Sequence, residues 1–145
     1  MLSRLLVVSA SVGLALVLAA PSPRPAGVCL HGHPSVLFEY DHSDAVLIGR
    51  VSGHRAVPES DGYYEGDGYT VRVRELFRGN VPESFEVFSE NSSGRFPMQV
   101  KRAYLLFLYR ERGRLMVDNC GNSGALAESG AAIDTVRPLH RKTPS

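Results

Sequence analysis

The sequence has few cysteines and almost no net charge. Its 145 residues include two cysteines, and 16 lysines and arginines stand against 15 aspartates and glutamates. Two thiolates cannot complete a four-cysteine zinc site, and they are too few for a disulfide-dense miniprotein. A nearly neutral chain lacks the electrostatic footprint of a general nucleic-acid binder and of a polybasic membrane-surface protein. We therefore expect no nucleic-acid partner.

The motifs of the common enzyme classes are also missing. The 145 residues contain no glycine-rich phosphate loop, no G-x-S-x-G nucleophile elbow and no H-E-x-x-H zinc helix. The hydrophobic share of 43% and the charged share of 21% are ordinary for a globular protein of one domain. The composition thus favours a non-catalytic globular domain without a cofactor.

The amino-terminal residues carry an export pattern. Arg4 is the sole charge in residues 1–19, and an apolar run covers residues 5–18. This layout predicts a secretory signal peptide over residues 1–19, followed by a proline-rich linker over residues 20–28. The alternatives are an uncleaved anchor, for which the run falls short of the roughly 20 residues that span a bilayer, and a lipoprotein acylated on Cys29. We expect a secreted protein, extracellular or in the cell envelope (periplasm), with no membrane span after cleavage.

Alternation of apolar and polar residues predicts a mainly β domain over residues 29–139. The clearest pattern runs over residues 69–77, where Tyr69, Val71 and Val73 alternate with polar side chains. Further strands are predicted over residues 44–53, 84–89, 104–109 and 115–119, with a short helix over 35–40, a C-terminal helix over 125–136 and a flexible tail over 140–145.

The connections between these strands constrain their pairing. No helix long enough for a parallel crossover separates them, so we expect antiparallel pairing throughout. A small closed or partly closed barrel of five strands is the simplest way to hide the strand edges. The turn-rich residues 56–68 are expected to form an exposed loop.

The two cysteines lie at opposite ends of the predicted domain. Export would place them where disulfides persist, and a Cys29–Cys120 bond would close a loop of 92 residues (120 − 29 + 1). The chain-entropy model assigns such a loop roughly 4 to 5 kcal/mol. The alternative is a pair of separate buried thiols. A catalytic role is not favoured, since no histidine or cation stands near Cys120 in the sequence.

The order of these segments resembles the netrin-like domain, the oligonucleotide/oligosaccharide-binding (OB) type of barrel found in tissue inhibitors of metalloproteinases, and its secreted bacterial-type members. The matching segments are Cys29 and residues 43–51, 69–73, 76–80, 101–107 and 115–123. The resemblance implies a small five-stranded OB-like antiparallel barrel with a C-terminal helix, and it supports the Cys29–Cys120 pairing. It also implies a secreted, non-catalytic module whose partner is an extracellular protein, a metalloendopeptidase in the case of the inhibitors.

The chain departs from this family at its amino terminus. Members begin with a Cys-x-Cys pair, whereas here Cys29 suits the second position and Gly27 occupies the first. The partner of the first cysteine would fall in residues 92–95, which contain no cysteine. In the animal inhibitors the terminal cysteine chelates the zinc of the protease through its amine and carbonyl. Residues 20–28 precede Cys29 here, so the sequence argues against zinc capture of that kind.

Two short segments supply candidate contacts with a partner. Leu30 and His31 follow Cys29, and Tyr63 and Tyr64 stand as an aromatic pair in the turn-rich segment. The carboxylates around this pair do not have the spacing of an EF-hand, which favours a solvated loop.

Two alternative functions remain open at this point. His31, His33 and His42 could hold a metal ion and serve a metal-binding enzyme, although solvent-exposed histidines are the simpler interpretation and no metal is assigned. The same barrel could also serve as a cell-envelope structural or carbohydrate-binding protein.

Overall fold

The structure, a computed structural model, describes residues 29, 32–58 and 61–142. The predicted signal peptide, the linker, Leu30 and His31 lie outside the described residues. The elements in chain order are α1 (Val36–His42), β1 (Ala45–Pro58), β2 (Tyr64–Arg78), β3 (Ser84–Glu90), β4 (Ala103–Glu111), β5 (Arg114–Met116), β6 (Gly124–Ala125), a 3₁₀ turn (Leu126–Glu128) and α2 (Gly130–Lys142).

Five of these strands close a ring. The order is β1-β2-β3-β5-β4, pairing between β1 and β4 completes the circle, and the two-residue β6 adds to the other edge of β4. The prediction of a mainly β domain with five principal strands and a C-terminal helix is confirmed. Neighbours β4-β1-β2-β3 have the spatial order of a Greek key, in which the fourth strand returns beside the first.

The expectation of antiparallel pairing throughout is wrong at one place. Val87 and Phe88 of β3 pair in parallel with Leu115 and Met116 of β5, while the other strand pairs are antiparallel. A parallel pair needs a crossover between its strands, and that crossover here is β4 with its preceding loop rather than a helix. Because β4 and β5 form an antiparallel hairpin, β5 runs in the same direction as β3 and pairs with it in parallel.

The first hairpin is longer than the sequence pattern indicates. β1 runs to Pro58 and β2 starts at Tyr64, so most of the predicted loop over residues 56–68 is paired sheet. Backbone pairing with both β1 and β3 makes residues 66–68 strand in spite of their glycines. β5 is shorter than predicted and ends at Met116. The C-terminal helix, predicted over residues 125–136, is α2 over Gly130–Lys142, because β6 and the 3₁₀ turn occupy the segment before it. α2 therefore includes the start of the segment 140–145 that was expected to be a flexible tail.

Apolar side chains form two main cores on opposite sides of the sheet, and Val57, Phe88 and Met116 form a third, smaller cluster. Leu47, Val71 and Leu106 belong to the interior of the ring. Val46, Ile48, Leu105 and Phe107 point outward, where Ile133 and Val136 of α2 and Tyr40 of α1 cover them. The continuously apolar start of β1 is therefore buried on both faces, as its pattern predicts.

One backbone carbonyl anchors both helices to the sheet. The Tyr40 hydroxyl of α1 donates to Phe77 O at 2.9 Å, and Nδ1 of His140 in α2 lies 2.9 Å from the same oxygen. A carbonyl oxygen can only accept, so in this arrangement His140 carries its hydrogen on Nδ1.

Replacing Tyr40 with phenylalanine is expected to lower the free energy of unfolding by about 1 kcal/mol, the usual net value of one internal hydrogen bond. The loss stays small because His140 still donates to Phe77 O. Urea unfolding of both proteins measures the difference. Tyr63→Phe is the matched control, since that hydroxyl is exposed and makes no hydrogen bond to a described residue; an equal loss in the control would contradict the assignment.

Candidate functional site

A disulfide joins the start of the described chain to its last loop. Cys29 and Cys120 are bonded, with their Cα atoms 5.6 Å apart, which confirms the predicted pairing. A sulfur in this bond cannot also carry the thioether of a lipid anchor, so the disulfide and the lipoprotein alternative exclude each other. Within the described part of the chain, no helix has both the length and the apolar character needed to cross a bilayer.

A cavity of about 330 Å³ opens beside this disulfide. Its lining comes from the segment at Cys29, the ends of β3 and β4, the β3–β4 loop and the residues after β5, namely Cys29, Gly32, Glu90, Ser92, Ser93, Gly94, Tyr109, Val117, Asp118 and Cys120. The polar side chains that line the cavity carry carboxylate or hydroxyl groups. Segments that are far apart in sequence therefore meet at this end of the barrel.

The loop after β3 connects the cavity to the tip of the first hairpin. At the cavity, Asn119 N donates to Gly94 O at 3.1 Å, and Asn119 Nδ2 donates to Ser93 O at 3.0 Å. At the hairpin, Asn91 Nδ2 donates to Tyr64 O at 3.2 Å and Asn91 N to Glu65 O at 2.8 Å. We call the continuous surface formed by residues 61–64, 91–95 and 118–120 the loop ridge.

The two tyrosines of the hairpin have different environments. Tyr63 is 72% exposed, the most exposed large apolar side chain of the described residues. Tyr64 is half-buried, its hydroxyl accepts from Arg95 Nη2 at 3.0 Å, and the Arg95 guanidinium lies 5.4 Å from its ring centroid. Tyr63 is thus free to contact a partner, whereas Tyr64 holds the β3–β4 loop.

Asp67 is the buried centre of a polar cluster next to the ridge. Its side chain is 4% exposed and accepts from His54 Nε2 at 2.7 Å and from Arg95 Nη2 at 2.7 Å. Burial by itself raises the pKa of Asp67, but hydrogen bonds from Tyr64, His54 and Arg95 outweigh it and lower the pKa from 3.8 to about 2. The cluster ties β1, β2 and the β3–β4 loop together.

The same cluster contains a histidine–aspartate pair, the orienting half of many catalytic triads. His54 makes no hydrogen bond to a serine, threonine or cysteine within residues 29, 32–58 and 61–142. Its ring lies 5.0 Å from that of Tyr69. Through Asp67, this pair holds the guanidinium group of Arg95 in the β3–β4 loop.

Hydrogen bonds of Asn122 join the same two segments of the chain as the disulfide does. Glu39 of α1 accepts from Asn122 N and Asn122 Nδ2, both at 2.6 Å, and Asn122 Nδ2 also donates to Pro34 O at 3.0 Å. Burial raises the pKa of Glu39, and the hydrogen bonds from Asn122 oppose that rise. The segment before α1 is therefore fastened to the last loop by side chains as well as by sulfur.

Of the three histidines considered as metal ligands, the structure describes His33 and His42. His31 lies outside the described residues, and His33 is exposed. His42 Nδ1 lies 2.7 Å from Phe38 O, and its ring stacks on Phe38 with centroids 4.0 Å apart. No group of three or more His, Cys, Asp or Glu that could hold a metal ion occurs among the residues that the structure describes.

Several residues of this end of the molecule were not singled out from the sequence. His54, Arg95, Glu39 and Asn122 carry no motif, and Asp67 was grouped with the carboxylates of a solvated loop. The apolar–polar alternation stops at Tyr69, but β2 itself begins at Tyr64. Extending the two-residue period of a strand back to that point puts Asp67 on the inward face with Tyr69. The periodicity does not identify the hydrogen-bond donors to Asp67, because Arg95 lies in a loop that has no periodic pattern.

Comparisons of the whole chain add no relative. No family model matches the sequence, and no curated protein is significantly similar to it.

Proposed function

We propose that the protein is an exported, non-catalytic binding domain of the netrin-like kind, built on an OB-type barrel, which contacts an extracellular protein through its loop ridge. The observation that carries this proposal is the ridge itself. Three segments remote in sequence are held side by side by hydrogen bonds from the backbone and the side chains of Asn91 and Asn119. The disulfide fixes one of these segments to Cys29, and Tyr63 projects from one end of the ridge. Loops preorganised on a rigid scaffold lose little conformational entropy on binding.

The topology supports the barrel type. A five-stranded ring with Greek-key strand order is the architecture of the OB fold. The position of Cys29 also agrees with the resemblance. It lines one cavity together with Ser92, Ser93 and Gly94, the segment in which the family would place the partner of its first cysteine.

The proposed partner is an extracellular metalloendopeptidase, the target class of the inhibitors that the sequence resembles. Residue 27 is glycine where the family has its first cysteine, which argues against an amino-terminal cysteine in the fourth position of the zinc. We therefore propose that contact occurs through the surface of the ridge rather than through chelation. Tyr63 is the aromatic anchor of that surface, because large exposed aromatic side chains dominate binding energy at protein interfaces.

Binding to a panel of purified extracellular metalloendopeptidases, measured by biolayer interferometry, tests this function. We expect a complex whose dissociation constant rises about tenfold or more in Tyr63→Ala, which corresponds to roughly 1.4 kcal/mol or more. Leu37→Ala is the matched control, since it removes an apolar side chain that is 51% exposed on α1, outside the ridge.

Each other outcome has a definite meaning. Absence of binding at micromolar concentration to every peptidase would remove the proposed partner class. If Leu37→Ala weakens binding as much as Tyr63→Ala does, the interface is not confined to the loop ridge and this part of the proposal is wrong. Binding to neutral glycans on an array, without binding to any peptidase, would favour the carbohydrate-binding alternative.

A further inference from the structure

Six of the twelve arginines within residues 29, 32–58 and 61–142 are held by an acidic side chain or a carbonyl, among them Arg112, whose Nε lies 3.9 Å from Glu111 Oε1. Arg55 pairs with Glu86, Arg95 with Asp67, Arg114 with Glu65 and Arg137 with Glu75, while Arg78 donates to two backbone carbonyls. The cationic side chains of the described chain without an ion pair or hydrogen bond are Arg50, Arg72, Arg74, Lys101, Arg102, Arg110 and Arg141.

Most of these unpaired cations lie together on the sheet. Arg50 of β1 and Arg72 of β2 are direct partners in the strand register, and Arg74 follows on the same exposed side of β2. Lys101 N donates to Val51 O at 2.8 Å, and Val51 N donates to Arg102 O at 2.9 Å, which brings the start of β4 beside Arg50. We call Arg50, Arg72, Arg74, Lys101 and Arg102 the arginine face.

This arrangement is unfavourable for the isolated chain. Side chains of directly opposed residues in an antiparallel pair are about 5 Å apart, and like charges there are destabilising. Glu83 is beside the face, since its carbonyl accepts from Val73 N at 2.9 Å, but its carboxylate makes no ion pair with a described cation. The nearby Glu86 is held by Arg55. Nothing in the described fold compensates the opposed guanidinium groups.

We propose that the arginine face binds an anionic polysaccharide, a polymer that carries sulfate or carboxylate groups. Guanidinium groups recognise such oxyanions through paired hydrogen bonds, and several fixed cations on an extended sheet match repeated charges along a chain. The exposed large apolar side chains of the described residues are Leu37, Phe38, Tyr63 and Val100. Their aromatic members lie on α1 and the ridge, so the face offers no ring on which a nucleic-acid base could stack.

This surface is separate from the loop ridge. Arg72 stands eight residues along β2 from Tyr64, a distance of roughly 26 Å in an extended strand. The two surfaces can therefore bind their ligands at the same time, and a substitution that abolishes binding at one should leave binding at the other unchanged. Polysaccharide binding also goes beyond the proposed function, because it depends on the cations of the arginine face and not on the residues of the loop ridge.

Isothermal titration calorimetry of the disulfide-intact protein with dextran sulfate, polygalacturonate and neutral dextran tests the proposal. We expect binding to one or both anionic polymers and none to neutral dextran, with affinity that falls as salt rises. Arg50→Gln/Arg72→Gln should weaken binding tenfold or more. The control Arg110→Gln/Arg141→Gln removes the same charge elsewhere and should change binding less than twofold.

Stability separates loss of the site from loss of the fold. The variant Arg50→Gln/Arg72→Gln relieves a like-charge pair, so its melting temperature should stay the same or rise while binding falls. Equal weakening by both double variants would show attraction by net charge and overturn the assignment. Failure to bind either anionic polymer at low salt would overturn it as well. Stronger binding to oligothymidylate or to phosphatidylglycerol vesicles than to both polymers would replace the polysaccharide by another class of polyanion.

Discussion

Replacement of both cysteines by alanine is expected to lower the free energy of unfolding by about 4 kcal/mol. The Cys29–Cys120 bond has a sequence separation of 91, and cross-linking a loop of this size restricts the unfolded chain by roughly 4 to 5 kcal/mol in the chain-entropy model. A domain of this size has a total stability of roughly 5 to 15 kcal/mol. The loss is therefore a large part of what holds the protein folded.

The folded ring should nevertheless survive the substitution. Its closing contact is the pairing of β1 with β4, which does not involve either cysteine. Glu39 and Asn122 still join the segment before α1 to the last loop. We expect the strand content measured by circular dichroism at low temperature to stay the same, and the melting temperature to fall by about 15 °C or more.

Differential scanning calorimetry of the oxidised protein and of Cys29→Ala/Cys120→Ala measures this loss. Adding a reductant should lower the melting temperature of the natural sequence and leave the variant unchanged. If Cys29 and Cys120 both alkylate freely when the natural protein is unfolded by denaturant without a reductant, the disulfide is contradicted. An unchanged melting temperature after reduction would contradict its contribution to stability.

The substitution Asp67→Asn is expected to lower the free energy of unfolding by roughly 2 kcal/mol at neutral pH. The side chain is 4% exposed and faces His54 and Arg95. Its pKa in the folded protein is about 2, against an ordinary value of 3.8, and a shift of this size corresponds to roughly 2 kcal/mol. The amide keeps the shape of the carboxylate but loses its charge. Because His54 and Arg95 are themselves partly exposed, water can solvate them in the variant.

The effect should depend on pH in a definite direction. Folding lowers the pKa of Asp67, so its stabilising contribution is complete above about pH 4 and disappears as the pH falls through about 2. The unfolding free energies of the natural protein and of Asp67→Asn should therefore differ at pH 7 and converge toward pH 2. Urea unfolding at a series of pH values measures both curves.

Asp134→Asn is the matched control, because Asp134 is exposed on α2 and makes no ion pair with a described residue. Its curve should follow that of the natural protein within about 0.5 kcal/mol at each pH. A constant difference between Asp67→Asn and the natural protein across the whole range would show that the carboxylate charge is not what stabilises this cluster.

Local patterns in the sequence were enough to place most elements. Alternation marks the middle of β2, and the apolar run of β4 marks a strand that crosses the core. The spacing of Leu126, Ile133, Val136 and Leu139 predicts one buried face for the C-terminal helix, and these residues do pack on the outer core. A glycine inside a helix weakens it, but Gly130 is the residue at which α2 begins.

The candidate site was predictable only in part. Cys29, Cys120 and Tyr63 could be selected from residue type and position alone, because two cysteines have one possible pairing and an aromatic residue among turn residues tends to be exposed. Arg95 and Asn122 could not be selected. Their roles depend on which side chains other strands bring within hydrogen-bonding distance, and no local spacing records that.

Residue type and periodicity by themselves determined that this chain is mainly β, that its two cysteines can close one long loop, and that its outermost helix is amphipathic. These properties are local, or concern a single covalent pair, so they can be read along the chain. Only the tertiary structure decided that β3 and β5 run parallel, that Asp67 is buried against His54 and Arg95, and that Arg50 faces Arg72. Each of these depends on strand register, and register is set by the packing of the whole ring.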